Sequence, residues 1–244
     1  MSDPITVDAA TAIDFFADGG FYQFPSINFR TPNVFAMVAF IGDLVLKVPA
    51  PAWTEDFEKY AVHEVRDAVN PCVRPADTIE TARGVQSALA GFPEFQTLFA
   101  ADPHASHFLV VHKLQHQRLR HAHLVNVPEA RFILLKRRRL GVFSTVSPAI
   151  VQERSRGTAL LAMFDDVRNE IRNEWRHCLP TIRSILNRLI DSGLRDHLNW
   201  FIANFIFDGE TGILSYVDSK PSFLFARSGN ERNIDGLRKW FGCA

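Results

Sequence analysis

The clearest pattern near the start of the chain is a pair of apolar runs of strand length. Val34 to Phe40 and Leu44 to Val48 flank Gly42-Asp43, which is turn chemistry, so the pattern predicts a β-hairpin. Pro49 and Pro51 end the second run, because proline has no N–H to give to a ladder. Ahead of the hairpin a short helix is predicted over 9–18, closed by Gly19 and Gly20. Beyond it, 54–69 reads as a helix. Thr54 is its N-cap, and Glu55, Asp56 and Glu58 in the first turn suit the helix dipole. Pro71 and Pro75 break that pattern, and 79–90 and 92–101 are further helix candidates.

The middle of the chain is less periodic. Residues 108–111 fit either a strand or the start of a helix, since a short apolar run does not separate the two. Stretches 131–136 and 149–152 read as strands, with 140–148 as a loop or a further strand. From Leu160 the character becomes helical. Val167, Ile171, Trp175, Cys178, Ile182, Ile185, Leu186 and Leu189 recur close to a 3.6 period across 165–191, with a break expected at Pro180. Two short strands, 205–207 and 214–217, then flank the turn sequence Asp208-Gly209-Glu210-Thr211-Gly212, and a last helix is predicted over 233–240. Strands mixed with helices, then helices, then a hairpin predict an α+β chain, sheet-bearing first and mostly helical afterwards.

Composition narrows the class. Apolar residues make up 47% and charged residues 22%, an ordinary globular balance. Lys+Arg and Asp+Glu are equal at 27 each, so no whole-molecule field draws the chain to nucleic acid or to an anionic membrane. No apolar run is long enough to cross a bilayer, and the first ten residues lack the basic region of a secretory signal. Cys72, Cys178 and Cys243 form no C-x-x-C pair; an odd, sparse set predicts free thiols and a cytoplasmic setting.

The chemistry concentrates in 195–221. His197-Leu198-Asn199 is followed by Asn204, then the predicted hairpin, then Asp218-Ser219-Lys220-Pro221. This strip resembles the protein-kinase-like superfamily, in which H-x-D-x-x-x-x-N precedes a hairpin and the aspartate of D-F-G. His197 matches the histidine, Asn199 the catalytic aspartate, Asn204 the metal-binding asparagine and Asp218 the metal-binding aspartate. The resemblance implies a two-lobed kinase-like fold, a β-rich N-terminal lobe over about 1–152 and a small, mostly helical C-terminal lobe over 153–244. It also implies ATP between the lobes and Mg2+ on Asn204 and Asp218, whose hard oxygen donors suit that ion. Lys47 resembles the strand lysine that holds the α- and β-phosphates, with Glu64 as its ion-pair partner. Residues 151–154, Gln152 and Glu153 among them, stand where the hinge meets adenine, and Lys220 is either a phosphate contact replacing one lost elsewhere or, more simply, a surface cation.

The chain also departs from that pattern. Asn199 cannot take a proton from a hydroxyl, which leaves Asp196 as the nearby carboxyl, though the family geometry aims it elsewhere. Ser219 and Lys220 replace the Phe and Gly of D-F-G. The candidate phosphate loop, 29–33, has no glycine, and with few residues after Asp218 the large helical subdomain of protein kinases is not expected. The resemblance is specific only between Asp196 and Pro221. Two functions follow: an atypical ATP-dependent phosphotransferase acting on an unknown protein or small-molecule acceptor, or a pseudokinase whose bound nucleotide stabilises a shape that another protein reads.

A third reading is an α+β protein that binds nucleic acid. Eight Lys/Arg stand against Glu129 alone between Lys113 and Arg139, although a solvated turn is the simpler account. His112 and His116 have the i,i+4 spacing of zinc ligands, but no Cys, Asp or Glu stands near to complete a site. A solvated polar segment is expected there. Trp175, Trp200 and Phe201 read as core.

Overall fold

Gly42 adopts φ +56° between two antiparallel strands, so the first predicted hairpin forms where turn chemistry placed it. In the structure, a computed structural model, the described residues are 3–8, 11–25, 30–32, 36–49, 90–96, 103–139, 143–165, 170–218 and 227–243. The helices predicted over 54–69 and 79–90 lie outside the described residues, apart from Ala90. The fold is mixed α+β, and the chain divides into two compact units. Met1–Leu114 with Glu129–Arg154 form the first, and Gln115–Pro128 with Ser155–Ala244 the second.

The first unit is built on a seven-stranded sheet ordered β1-β2-β6-β7-β5-β4-β3. Its strands are β1 (Ile5–Thr6), β2 (Phe21–Gln23), β3 (Arg30–Pro32), β4 (Ala36–Ile41), β5 (Leu44–Pro49), β6 (Ala130–Arg139) and β7 (Phe143–Glu153). β1–β2 and β2–β6 pair in parallel and the remaining pairs are antiparallel. Residues 143–148, left open between loop and strand, therefore extend β7. Alternation along the central strands sends Leu44, Leu46, Val48, Ile133, Leu135, Ala149 and Val151 to one core with Val7, Phe16, Tyr22 and Phe24.

The helix predicted over 9–18 reduces to one 3-10 turn, Ile13–Phe15. Tertiary bonds override the local pattern. An Asp18 Oδ1 accepts the Phe132 N–H at 2.7 Å and the Gly19 N–H donates to the Phe132 carbonyl at 2.8 Å, so the chain is drawn out against β6. Of the helix predicted over 92–101, Pro93–Phe95 is a 3-10 turn and Gln96 is helical, while 97–101 lie outside the described residues.

Residues 108–111 fall within a helix, α1 (Pro103–Ala122). Lys113 on it is no solvated cation of a basic turn. Its ammonium pairs with Asp18 and Glu94, lies over the rings of Phe92 and Phe95, and leaves the side chain 12% exposed. His112 and His116 are buried rather than solvated, and His116 Nε2 bonds the Pro128 carbonyl at 2.8 Å.

The second unit holds less helix than the periodicity of 165–191 predicts. That stretch contains β9 (Phe164–Asp165), β10 (Glu170–Ile171), a 3-10 segment Asn173–Cys178 and only then α2 (Leu179–Ile190). Pro180 does not interrupt a helix; it opens one, at a first-turn position where its missing N–H costs nothing. A three-stranded sheet, ordered β12-β11-β8, is formed by β8 (Thr158–Ala159), β11 (Phe205–Asp208) and β12 (Ile213–Tyr216). The terminal helix, α3 (Arg227–Phe241), is longer than its predicted core. Ile182, Leu186, Leu189, Trp200, Phe205, Phe207, Tyr216, Leu237 and Phe241 make one core in this unit. Each such side chain contributes about 1.5–3 kcal/mol on burial. Cys178 and Cys243 are free thiols, and no helix among the described residues is long and apolar enough to cross a membrane.

Gly157, at φ +105°, lets β8 lie against β11; a Cβ there would overlap the Phe207 carbonyl. Gly193, by contrast, has no atom within 4 Å of a notional Cβ. Gly157→Ala is expected to cost about 3 kcal/mol or more, whereas Gly193→Ala is neutral or stabilising by up to about 1 kcal/mol. Urea unfolding of the two variants measures the contrast.

Candidate functional site

The β11–β12 hairpin brings distant residues together. The pairing Phe205↔Tyr216 continues one step further, with the Val217 N–H donating to the Asn204 carbonyl at 2.9 Å. Asn204 and Asp218 therefore emerge from the same end of the hairpin. The far end is closed by Gly212 at φ +71°, whose N–H donates to the Asp208 carbonyl at 2.8 Å. The Asp208 carboxyl accepts from the Thr211 hydroxyl and the Glu210 N–H, which hold its pKa below the usual value.

The loop ahead of β11 is fixed from several directions. The Trp200 indole is fully buried and donates to the Arg195 carbonyl at 2.7 Å. Asn230 on α3 donates to the Leu198 carbonyl at 3.1 Å and accepts the Trp200 N–H at 3.4 Å. The Asn199 N–H donates to the buried Tyr216 hydroxyl at 2.9 Å. Burial, and then the nearby Asp218 charge, push the Tyr216 pKa well up, so the phenol stays neutral.

These supports deliver three side chains to one point. Asn199 Nδ2 donates to Asp218 Oδ2 at 2.9 Å, and Asn204 Nδ2 donates to the same oxygen at 3.3 Å. Asn204 also reaches the Asn199 carbonyl at 3.2 Å. Asn199 is 7% exposed, and its Oδ1 accepts the Phe201 N–H at 3.2 Å. Both ends of its amide thus have partners inside the strip. Phe201, expected in the core, is instead 49% exposed.

Asn204 and Asp218 are the residues that could hold a magnesium ion, through an amide and a carboxylate oxygen, although the Asn204 amide turns its nitrogen to the carboxylate here. With its amide turned end for end, Asn204 would present an oxygen at the same 3.3 Å from Asp218 Oδ2. Neighbouring oxygens around Mg2+ stand about 3.0 Å apart at its usual bond lengths. The Asn204 nitrogen also donates to the Asn199 carbonyl at 3.2 Å, so both contacts call for a donor at that position.

His197 takes a positioning place in the loop. The Arg118 guanidinium donates to its Nδ1 at 3.1 Å, and Gln115 Nε2 donates to its carbonyl at 2.5 Å. A guanidinium has no acceptor, so the ring proton sits on Nε2. Asp196 lies in the 3-10 turn Arg195–His197, its carboxyl outside the described side chains.

The other predicted residues belong to the first unit or lie outside the described residues. Lys47 lies on β5, an interior strand, and donates to Gln152 Oε1 at 2.8 Å. The register Lys47↔Ile150 places the two side chains diagonally on one face. The Glu153 N–H donates to the Glu129 carbonyl at 2.9 Å and the Arg154 N–H to the Asp43 carbonyl at 2.8 Å, so these hinge amides already have partners. Arg30–Pro32 of the candidate phosphate loop forms β3, paired with β4. Glu64 and Lys220 lie outside the described residues.

Sequence reasoning missed Tyr216, Asn230, Arg118 and Gln115. Tyr216 stands two residues before Asp218, on the strand that leads into the site, and that adjacency was a usable signal. Asn230 and Arg118 act across 32 and 79 residues of chain, and no local pattern points to them. No protein-family model matches this chain, and no curated protein matches it.

Asn199→Asp would set a second carboxylate about 2.9 Å from Asp218 Oδ2. Two carboxylates that close share a proton, so one pKa rises above its unfolded value of about 4. The folded variant then holds a proton that the unfolded chain releases, and its stability falls as pH rises from about 4 to 8. Urea unfolding at pH 4.5 and pH 8 is expected to show a penalty about 2 kcal/mol larger at pH 8. Equal penalties at both values would mean that residue 199 does not face the carboxylate.

Proposed function

We propose that the chain is a kinase-like protein that binds Mg2+-ATP and acts as a pseudokinase, a nucleotide-responsive binding protein. The carrying observation is the Asn199 amide, bonded at Nδ2 to Asp218 and at Oδ1 to the Phe201 N–H. An amide has no basic lone pair for a hydroxyl proton, and here neither end is turned outward. Asn199 acts as a clasp that holds the Asp218 carboxylate in place.

In this reading Asn204 and Asp218 hold magnesium, which neutralises phosphate charge when bound, and Lys47 contacts the phosphates. The supports are the hydrogen-bonded convergence of Asn199, Asn204 and Asp218, the hairpin between the last two, and the interior position of Lys47. The two compact units support a two-lobed kinase-like architecture. The free Cys178 and Cys243 support a cytoplasmic setting. Partners of this reading are the nucleotide and a protein that responds to it.

An atypical phosphotransferase would use the same ligands with the attacking hydroxyl oriented but not deprotonated, since a loose transition state needs little help from a base. The fixed Asn199 favours the pseudokinase.

Thermal unfolding with 1 mM ATP and Mg2+ tests the proposal. For a Kd of about 100 μM, binding stabilises by about 1.4 kcal/mol, which raises Tm by about 3–6 °C. Asp218→Ala is expected to abolish the rise and Lys47→Ala to reduce it, each compared with the same variant without nucleotide. Absence of any rise in the native chain would sink the nucleotide reading. Radiolabelled phosphate on any acceptor would replace the pseudokinase with the phosphotransferase.

A further inference from the structure

The second unit carries an open groove of about 470 Å3 away from the Asn199–Asp218 cluster. It is bounded by the end of α1 with the bent segment 123–127, by one side of α2, and by the start of β12. Its apolar floor includes Leu124, Val127, Ile185 and Leu214, and Ile213 stands 47% exposed at its edge. The charged lining is of one sign: Arg120 and Arg188 are exposed guanidiniums, His123 lies beside them, and no Asp or Glu lines the groove. Neither arginine forms an ion pair among the described residues; Arg188 makes only a long bond, 3.4 Å, to the Leu124 carbonyl.

Among the described residues both guanidiniums are therefore open to an incoming acceptor. His123 follows the last residue of α1 at φ 51°, a left-handed position that glycine or asparagine fills at lower cost.

We infer that this groove is a docking site for an acidic peptide segment of another protein, with apolar side chains on the floor and carboxylates on Arg120 and Arg188. Charge complementarity sets the sign of the occupant, and guanidiniums pair with carboxylates in bidentate fashion. The apolar floor sets the anchors. The strand start of β12 and the bridged Asn126 beside it give the groove a lengthwise edge, which suits a peptide more than a compact small molecule. A nucleic acid would call for a longer basic track and for stacking rings, which this lining lacks. The inference is independent of nucleotide binding.

The test is a selection of random twelve-residue peptides displayed on phage against the full chain, followed by fluorescence anisotropy on the enriched peptides after synthesis. Enriched sequences are expected to combine Asp/Glu with Leu, Ile, Val or Phe and to bind at 100 μM or tighter. Replacing their Glu with Gln, or Asp with Asn, is expected to weaken binding at least tenfold. The double variant Arg120→Gln/Arg188→Gln should do the same with an unchanged Tm. His123→Gly relieves the left-handed strain, so it should weaken binding while Tm holds or rises, a pair of effects that general destabilisation does not produce. The inference is overturned by enriched peptides without acidic residues, by binding unchanged in the double variant, or by a selection that yields no binder at 100 μM. It is equally overturned if octanoate, a short oligonucleotide or anionic vesicles compete as well as the peptides.

Discussion

A carboxylate held against two amides organises the second unit's polar interior. Asp218 stands at the end of β12, and both Asn199 and Asn204 donate to its Oδ2. A half-buried negative charge is tolerable only where donors are preset around it, because desolvation of an unpaired carboxylate is costly. Meeting that requirement fixes the loop before β11, since Asn199 must also be held by Tyr216 and Phe201. Trp200 is turned into the core and Phe201 outward.

The same constraint separates two kinds of chemistry. Holding a charge needs donors and a fixed frame, and Asn199, Asn204 and the hairpin supply both. Moving a proton needs a base whose protonated form is accessible, and an amide bonded at both ends offers none. A strip that looks like a single catalytic motif in one dimension is thus built around one of these tasks. The first unit shows a comparable economy of polar contacts. Lys113, Asp18 and Glu94 satisfy each other over two aromatic rings, and Lys47 is answered by Gln152 across adjacent strands.

What was legible in the sequence was what neighbours in sequence decide. Gly42-Asp43 between two apolar runs specified a hairpin, and the turn after Asp208 specified another with nearly the right register. From the second hairpin the nearness of Asn204 and Asp218 followed. Elements settled by distant partners were misread. The turn at Ile13–Phe15 is short because Asp18 and Gly19 bond to Phe132, more than a hundred residues on. The apolar spacing over 165–191 is real, yet it serves a small strand pair and a 3-10 segment before α2 begins, because burial on one side does not specify which backbone delivers it. His112 and His116 read as polar, but α1 turns them inward, and the Pro128 carbonyl that accepts one of them lies outside any local pattern.

The second unit is assembled from two separated pieces of chain, Gln115–Pro128 and Ser155–Ala244. Its earlier piece supplies Asn126, which bridges to Ser215 beside β12, and Arg118 and Gln115, which hold His197. During synthesis that piece is made well before any of those partners exists. The seven-stranded sheet is complete in strands once Glu153 has been added, so the first unit can close while 115–128 remains looped out of it. The end of α1 and the segment after it then lack the other piece of their unit until Ser155–Ala244 arrives. A ribosome paused in that interval would expose Leu119 and Val125, both buried in the finished fold, to chaperones or to a neighbouring nascent chain.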